Sequence, residues 1–381
     1  MDVKKTIDYR FKFLYAIGMI MVVCGHANGG GISIISDWFP SGGLHLALFV
    51  FCSGYFYKNI SECNVRKYIF KKVKALLIPL YIYNIIYGFI VQILKLKGFE
   101  MGRDFTVMNI LIAPITNGHQ FIYNMGGWFI APLFMVEIYN VLIRKLLKSF
   151  NKNMPEIFFL IINVVFGLSG NQLACMGYCK GGWLVLVRML YFVPFYGLGI
   201  FYKSVLEKYD KRLSSFWYFA IIFLIKLIIV YHFGKMLSYT PSWCNDFTEG
   251  PVMPIIIGYL GIALWMRIAT LLEPVLGKSK WINLIADNTY SIMINQFLGF
   301  MIVKTGFALI NKVYGGFEDF DWISYKTDIF WYYRPKGLGY TLIIYVISGI
   351  AFSIIVQKVI DLLKKLVEKD WEVKRQNRCC C

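Results

Sequence analysis

One imidazole stands where the first apolar run of the chain ends. The run closes as VVCGHANGGG (residues 22–31), which places His26 shortly before Gly29–Gly31. Histidine has the side chain best suited to general-base work near neutral pH, and glycines leave room for a ligand or another segment to approach closely. An imidazole at a helix end can also be a capping or interfacial residue. His26 is therefore a candidate catalytic base, with a purely structural role as the alternative.

Charged side chains also lie inside later apolar runs. Glu137 follows GGWFIAPLFMV, Arg188 lies within WLVLVRMLYFVPFYGLG, and Lys226 lies within a third run. A charge at membrane depth is costly, so it normally faces a partner or a water-filled cavity. Glu137 and Arg188 are therefore either a buried structural pair or members of a functional site.

A histidine and a basic cluster flank the second apolar run. The stretch GGLHLALFVFCSGYFYK has His45 near its start and Gly54 near its end. Small residues inside a membrane helix usually permit close helix packing, which is our interpretation of Gly54. Positive charges after such a run orient membrane proteins, and they can also hold the phosphates of an anionic ligand. The cluster includes Lys71, Lys72 and Lys74.

The elements that must position these residues are membrane helices. Of the 381 residues, 58% are hydrophobic and 16% charged, and the mean hydropathy is +0.57, whereas about a quarter of the residues of a soluble domain are charged. Ten apolar segments can cross a bilayer core of about 30 Å when tilt and thinning are allowed. They are 13–28, 42–57, 76–94, 126–143, 155–170, 183–201, 215–233, 251–268, 284–303 and 337–360. The sequence predicts an all-α polytopic membrane protein with about ten transmembrane helices in one domain, residues 1–381.

Positive charge is distributed unevenly between the loops. If the N-terminus is cytoplasmic, the inner segments carry 26 Lys and Arg residues and the outer loops carry 10. Because cytoplasmic loops are enriched in these residues, we expect both termini in the cytoplasm, with 361–381 as a basic cytoplasmic tail. This topology places all four histidines, His119 and His232 included, in the outer half of the membrane or just beyond it. Nucleic-acid binding is not expected despite the net charge of +18, since the charge lies in short clusters. The cysteines show no metal-ligand spacing, so no metal site is expected.

Six segments, taken in order, resemble the acyltransferase family 3 membrane proteins, which transfer acyl groups, usually acetyl, to exported glycans. The segments are IDYRFKFLYAIGMIMVVCGHA, HLALFVFCSGYFYK, KKVKALLIPLYIY, GGWFIAPLF, YFVPFYGLGIFYK and NTYSIMINQFLG. Each motif is degenerate alone, but together they span most of residues 7–300 in the expected order. Two positions depart from the family pattern. Tyr15 stands where the family often has an Arg or Lys, and Gln296 stands where it commonly has a histidine.

The resemblance implies a mechanism and roles for the residues named above. Cytosolic acetyl-CoA, or another acyl-CoA, would be the donor, and no metal would take part. His26 would deprotonate an acceptor hydroxyl or accept the acyl group itself, and Glu137 or His45 would orient its imidazole. Arg188 or Gln296 would stabilise the thioester oxygen. The phosphates would be held by Lys71, Lys72 and Lys74, and Trp128 would lie at the substrate site or in an interfacial aromatic belt.

The same resemblance implies an acceptor and a location. The acceptor would be a hydroxyl of a surface polysaccharide or a lipid-linked glycan, and the protein would lie among the lipids of a bacterial plasma membrane. The alternative is a non-enzymatic transporter or flippase for a glycan or small anionic solute. In that case Glu137, Arg188 and Lys226 would mark a transport pathway.

Overall fold

The computed structural model describes residues 7–28 and 44–379, and this part of the chain folds into helices without a strand. Ten long or apolar helices follow one another in the predicted order. They are α1 Tyr9–Asn28, α2 Leu44–Tyr55, α3 Val65–Leu96, α4 Met125–Phe150, α5 Glu156–Cys175, α6 Gly181–Asp210, α7 Ser215–Phe233, α8 Met253–Leu276, α9 Thr289–Tyr314 and α10 Leu342–Cys379. Within the described residues nine of them are long and apolar enough to cross a membrane, and α2 is shorter, with 12 residues. The predicted fold class is confirmed.

The helices define two faces of the protein. The basic face carries the start of α1 and the connections 56–64, 151–155, 211–214 and 277–288. The loop face carries the end of α1, the short connection 176–180 and the three longer connections 97–124, 234–252 and 315–341. All helices run from one face to the other, so residues far apart in the chain meet at each face.

The basic cluster begins a membrane helix rather than a loop. The predicted third span, 76–94, is the second part of a helix that starts at Val65. A wider π turn at Val73–Leu77 precedes Pro79 in this helix. Proline cannot donate a backbone hydrogen bond and crowds the carbonyl of the preceding turn, and a π turn is one way in which a helix accommodates such a site. The lysines of this segment therefore lie on one continuous helix at the basic face.

Helix α2 lies in the interior of the bundle and packs closely on α6. All but two of its residues are buried, His45 and Ser53 being only partly so. A Cβ at Gly54 would collide with the Tyr196 carbonyl, and one at Gly199 would collide with the Phe51 carbonyl. The two glycines thus let the backbones of α2 and α6 approach each other, which confirms the packing role inferred for Gly54.

Ion pairs fasten the helices together at the basic face. The guanidinium of Arg144 on α4 is buried and binds Glu62 at 2.9 Å and Glu156 at 2.6 Å. Arg10 on α1 binds Glu207 at 2.7 Å, and Arg267 on α8 binds Asp210 at 3.0 Å. A buried guanidinium needs such partners because an unpaired buried charge is strongly destabilising. These three arginines therefore hold helices in place at this face.

Candidate functional site

His26 is held by a side-chain amide on α9. Its Nδ1 lies 3.1 Å from Gln296 Oε1, and Gln296 Nε2 donates to the Met293 carbonyl at 3.0 Å. The second bond fixes which way the amide points, so an oxygen that can only accept faces the imidazole. Nδ1 must therefore carry the hydrogen, which leaves the lone pair on Nε2. This is the protonation state that a general base requires.

The backbone and ring of His26 have further contacts at the loop face. Tyr332 donates its hydroxyl hydrogen to the His26 carbonyl at 2.7 Å, and the Phe297 ring centroid lies 4.9 Å from that of the imidazole. His26 itself is only partly buried. No neighbouring element among the described residues comes within 4 Å of a Cβ placed at Gly25, the residue before His26. Gly29–Gly31 lie outside the described residues.

A cavity of about 600 Å³ opens at the basic face between α1, α2, α3, α4 and α6. Four lysines and four tyrosines contribute to its wall, together with the carboxylate of α4. These residues are Lys58, Lys67, Lys71, Lys72, Tyr15, Tyr57, Tyr68, Tyr196 and Glu137. A wall of cations and phenol rings suits an anionic ligand with an aromatic or amphipathic part.

One ion pair lies in the wall of this cavity. Lys72 Nζ lies 2.6 Å from Glu137 Oε1, and Glu137 is 2% exposed. The other carboxylate oxygen, Oε2, is buried and has no hydrogen-bond partner among the described residues. A buried carboxylate oxygen without a donor is costly, and donors from a bound molecule would satisfy it. Glu137 is thus placed to contact a ligand in the cavity.

The cavity draws on only part of the predicted lysine set. Lys71 and Lys72 line it, whereas Lys74 lies over the Phe70 ring, 4.6 Å from the centroid. Lys67 belongs to the wall although the sequence analysis did not select it, because residues four apart on a helix share one side. Tyr15, one of the two departures from the family pattern, also lines the cavity.

Arg188 has a different environment from the one expected for a charge pair. Its Nε donates to the Ser242 carbonyl and its Nη1 to the Asn117 carbonyl, each at 3.0 Å. The guanidinium also lies 4.7 Å from the centre of the Trp128 ring. The alternative in which Glu137 and Arg188 pair is therefore wrong, since Glu137 binds Lys72 and Arg188 anchors two loop-face connections. Trp128 is buried, 6% exposed, rather than placed in an interfacial belt.

The other predicted polar residues lie at separate places. His45 lies in the first turn of α2 at the loop face, as His26 does at the end of α1. Lys226 is buried on α7 and does not line the basic-face cavity. The structure thus brings His26 and Gln296 together and brings Lys71, Lys72 and Glu137 together. The roles assigned to these residues stay predictions.

His119 is a loop-face imidazole close to this region. Burial and the charges of Arg188, His26 and Arg103 lower its pKa to about 3, whereas a backbone hydrogen bond at Asn117 opposes the shift. Its Nδ1 lies 3.0 Å from Asn117 Oδ1, and its ring stacks on Trp243 at 4.6 Å. A neutral imidazole is expected here because the neighbouring charges are cationic. His119 and His26 are near enough for one charge to act on the other.

Two residues of the site escaped the sequence analysis in their present roles. Gln296 was selected as a possible partner of the thioester oxygen, but it contacts the imidazole instead. Tyr332 lies in the connection 315–341 and is separated by 306 positions from the residue it binds. No local pattern marks a tyrosine for such a contact, because only the folding of α9 and α10 around α1 brings it there.

The comparison with known proteins agrees with the helical architecture. The model of the acyltransferase domain of acyltransferase family 3 matches residues 8–361, nearly the whole chain. No curated protein and no solved structure matches the chain. The match spans the first nine helices and the first part of α10, and it includes His26, Gln296 and the lysines of the basic-face cavity. The chain therefore belongs to acyltransferase family 3 and is a multi-pass membrane acyltransferase.

Proposed function

We propose that this protein is an O-acyltransferase that moves an acyl group, most simply acetyl, from cytosolic acyl-CoA to a glycan hydroxyl. The acceptor is a cell-surface polysaccharide or a lipid-linked glycan, and the base is His26. One observation carries the proposal. The bond from His26 Nδ1 to Gln296 Oε1, with the amide fixed by Met293, leaves Nε2 free of hydrogen. General-base assistance from such a nitrogen is worth roughly 10²–10⁴ in rate.

The basic-face cavity supports the choice of donor. Lys67 and Lys71 offer cations to the phosphates of CoA, and the phenol rings of Tyr68 and Tyr196 offer apolar surface. Glu137 Oε2, which has no donor among the described residues, would accept an amide hydrogen from the pantetheine arm. Lys74 lies over Phe70 and has no part in this binding. In this proposal Glu137 binds the donor and does not orient the imidazole.

The distance between the two sites fits a long, thin donor. Tyr15 lines the cavity, and His26 lies eleven residues further along α1. At 1.5 Å per residue this separation is about 16 Å along the helix. An extended pantetheine arm bridges such a distance with its phosphates at the basic face. The thioester then arrives at the imidazole from one side, and the acceptor comes from the loop face.

The reaction proposed at His26 is a single acyl transfer. The Nε2 lone pair takes the hydrogen of the acceptor hydroxyl while the hydroxyl oxygen bonds to the thioester carbonyl carbon. The carbon–sulfur bond then breaks, and the departing CoA sulfur takes that hydrogen back from the imidazolium. Gln296 holds the ring in place during both transfers, because its oxygen accepts from Nδ1 throughout. Arg188 acts only by anchoring the connections around Asn117 and Ser242.

The orientation of the charges supports a plasma-membrane location with the donor on the inside. Segments assigned to the basic face are rich in Lys and Arg, as cytoplasmic segments are. With this face in the cytoplasm, the lysine-lined cavity opens toward cytosolic acyl-CoA, and His26 lies toward the exterior. We place the protein in a bacterial plasma membrane, where surface glycans are assembled.

Membrane vesicles loaded with labelled acetyl-CoA test the proposal. Wild-type protein is expected to transfer label to a glycan, and His26→Ala is expected to lose transfer while its folding, followed by thermal unfolding in detergent, stays unchanged. His232→Ala is the matched control, since it removes another imidazole near the end of a helix at the loop face. If labelled acetyl-CoA or a labelled glycan crosses the membrane without acyl transfer, the transporter alternative replaces this one. Transfer that persists in His26→Ala removes the base assignment.

A further inference from the structure

A second cavity of about 370 Å³ lies at the loop face. Its wall comes from three separate parts of the chain, namely the connection between α3 and α4, the connection between α5 and α6 with the first turn of α6, and the connection between α7 and α8. The charged, aromatic and amide side chains of the wall are those of Arg103, Lys180, Trp243, Asn109, Asn117 and Asn245. No function has been assigned to this cavity so far, and it is distinct from the lysine-lined cavity of the basic face.

The cavity contains two cations that lack carboxylate partners. Neither Arg103 nor Lys180 forms an ion pair with any described residue. Of the adjacent acids, Asp104 binds Lys95 at 2.6 Å, and Asp246 accepts from the Thr240 N–H at 2.6 Å without forming an ion pair with Arg103 or Lys180 among the described residues. An arginine and a lysine that converge without an internal counterion favour an anionic ligand, and charge-assisted hydrogen bonds are the strongest that a site of this kind can make.

An aromatic ring is available beside these cations. Trp243 is 44% exposed, although one side of its indole is covered by the His119 ring at 4.6 Å and 16°. The imidazole is neutral at physiological pH, because its pKa is lowered to about 3, so it adds no charge to the stack. The uncovered part of the indole presents an apolar surface with a negative π face. The polarised C–H groups on one face of a pyranose ring match such a surface.

Amide side chains complete the wall. Asn109, Asn117 and Asn245 line the cavity. Asn109 Nδ2 already donates to the Asp104 carbonyl at 2.8 Å, and Asn117 Oδ1 already accepts from His119. The amide atoms left for a ligand are Asn109 Oδ1, Asn117 Nδ2 and both of those of Asn245. Ligand sites usually combine apolar surface with a few polar groups that fix orientation. Sugar hydroxyls both donate and accept hydrogen bonds, and a side-chain amide has both an acceptor oxygen and a donor NH₂ group to match them. A wall of cations, an indole and amides therefore matches a sugar that carries a negative charge.

The cavity is also connected to the catalytic imidazole. Asn117 lies in its wall, and its side chain binds His119 at 3.0 Å. His119 is within electrostatic range of His26. Buried Arg188 donates to the backbone carbonyl of Asn117 at 3.0 Å, which fixes this part of the wall to the helix bundle. Asn117 and His119 therefore link the wall of this cavity to the surroundings of His26.

We propose that the loop-face cavity binds an acidic sugar unit of the acceptor, a pyranose that bears a carboxylate or a phosphate. This inference rests on the proposed function in its choice of acceptor, but it concerns binding and can be tested without acyl transfer. Arg103 and Lys180 bind the anionic group, Trp243 stacks on the ring, and the amides bind hydroxyls.

Direct binding to the purified full-length protein in detergent tests the inference. The probes are oligogalacturonate for the carboxylate, mannose 6-phosphate for the phosphate, and maltotetraose as the neutral sugar. We expect at least one acidic probe to bind and the neutral probe to bind at least about tenfold more weakly, since a charge-assisted bond is about twice as strong as a neutral one. Which acidic probe binds more tightly identifies the anionic group. Equal binding of neutral and acidic probes overturns the inference.

Variants distinguish specific binding in the cavity from nonspecific electrostatic attraction to a cationic protein. Arg103→Gln and Lys180→Gln are each expected to weaken the binding of the acidic probe about tenfold. Lys97→Gln is the matched control, because it removes one exposed loop-face cation that does not line the cavity. Trp243→Phe keeps a ring of smaller area and is expected to weaken the binding of all the sugar probes several-fold. An equal loss in Lys97→Gln shows that the attraction is nonspecific and overturns the inference.

The outcomes also separate this inference from the proposed function. His26→Ala protein is expected to bind the acidic probe as tightly as wild type does. If binding follows these expectations while no acyl transfer occurs, the sugar site stands and the proposed function fails. If acyl transfer to a neutral glycan occurs and the acidic probes do not bind, the proposed function stands and the sugar site fails.

Discussion

Tyr332 donates its hydroxyl hydrogen to the backbone carbonyl of His26 at 2.7 Å across 306 positions of sequence. This bond ties the loop-face connection 315–341 to the end of α1. Lys304 reinforces it from α9, because its Nζ donates to the Ile329 carbonyl at 2.7 Å and lies 4.7 Å from the Tyr332 ring centroid. The position of the imidazole therefore depends on a connection that carries no catalytic group of its own.

Removing the hydroxyl of Tyr332 tests this dependence. Tyr332→Phe keeps the ring over Lys304 but leaves the His26 carbonyl without that donor, so the end of α1 is held less firmly. We expect a loss of about 1 kcal/mol in the free energy of unfolding and a several-fold decrease in kcat at unchanged KM for acetyl-CoA. Tyr231→Phe, at a 90% exposed position on α7, is the control. A Tyr332→Phe protein with wild-type kcat contradicts the positioning role.

Gln296 is expected to set the tautomer of His26 through its side-chain oxygen. Gln296→Leu removes that oxygen with little change in volume, so Nδ1 no longer has a fixed acceptor and the ring is free to rotate or change tautomer. We expect kcat to fall about 10- to 100-fold, comparable with losses seen when an outer partner of a functional histidine is removed. Gln296→Glu restores an acceptor at the same place and should recover a measurable part of the activity. Equal losses in both variants point to a packing role.

The donor-binding assignment predicts different effects for neighbouring lysines. Lys71 lines the basic-face cavity, whereas Lys74 lies over Phe70. Lys71→Gln should raise KM for acetyl-CoA about tenfold, because one charge-assisted bond to a phosphate is lost. Lys74→Gln removes the same charge from the same helix and should leave KM unchanged. If both variants raise KM equally, the cavity acts only through its overall potential.

Lys72 and Glu137 are expected to contribute to stability as a coupled pair, which a double-variant cycle measures. Lys72→Met leaves the buried carboxylate without its cation, which costs about 3–5 kcal/mol when a buried pair is broken from one side. Adding Glu137→Leu removes the stranded charge and should restore most of that loss. The measurement is unfolding in detergent for both single variants and the double. The double variant should still bind acetyl-CoA more weakly than wild type, and additive losses in stability contradict the coupling.

His119 predicts a pH dependence of stability. Its pKa is lowered to about 3 in the folded protein by burial and by the charges of Arg188, His26 and Arg103, whereas an unfolded histidine titrates near 6.5. The stabilisation is therefore fully present above about pH 6.5. It declines as the pH falls from there toward 3, by at most about 1.4 kcal/mol per pH unit. His119→Phe keeps a ring against Trp243 and should lower this slope in pH-dependent unfolding. An unchanged slope shows that other groups dominate.

The amino-acid sequence alone determined the helical membrane architecture. Apolar runs in a bilayer must satisfy their own backbone hydrogen bonds, so each run becomes a helix whatever its neighbours are. The position of His26 in the last turn of α1 and the packing role of Gly54 also followed from local patterns. The same local patterns did not show that the basic segment before Pro79 is helical, since its charges resemble those of an ordinary loop.

Only the tertiary structure decided which polar groups meet. Glu137 binds Lys72 rather than Arg188, Gln296 rather than Glu137 holds the imidazole, and Arg188 anchors backbone carbonyls. The loop-face cavity joins three connections that are far apart in the chain. Each of these contacts depends on how the helices are arranged around α1 and on which side of each helix faces inward. That arrangement is set by close packing summed over the whole bundle, and no short stretch of sequence contains it.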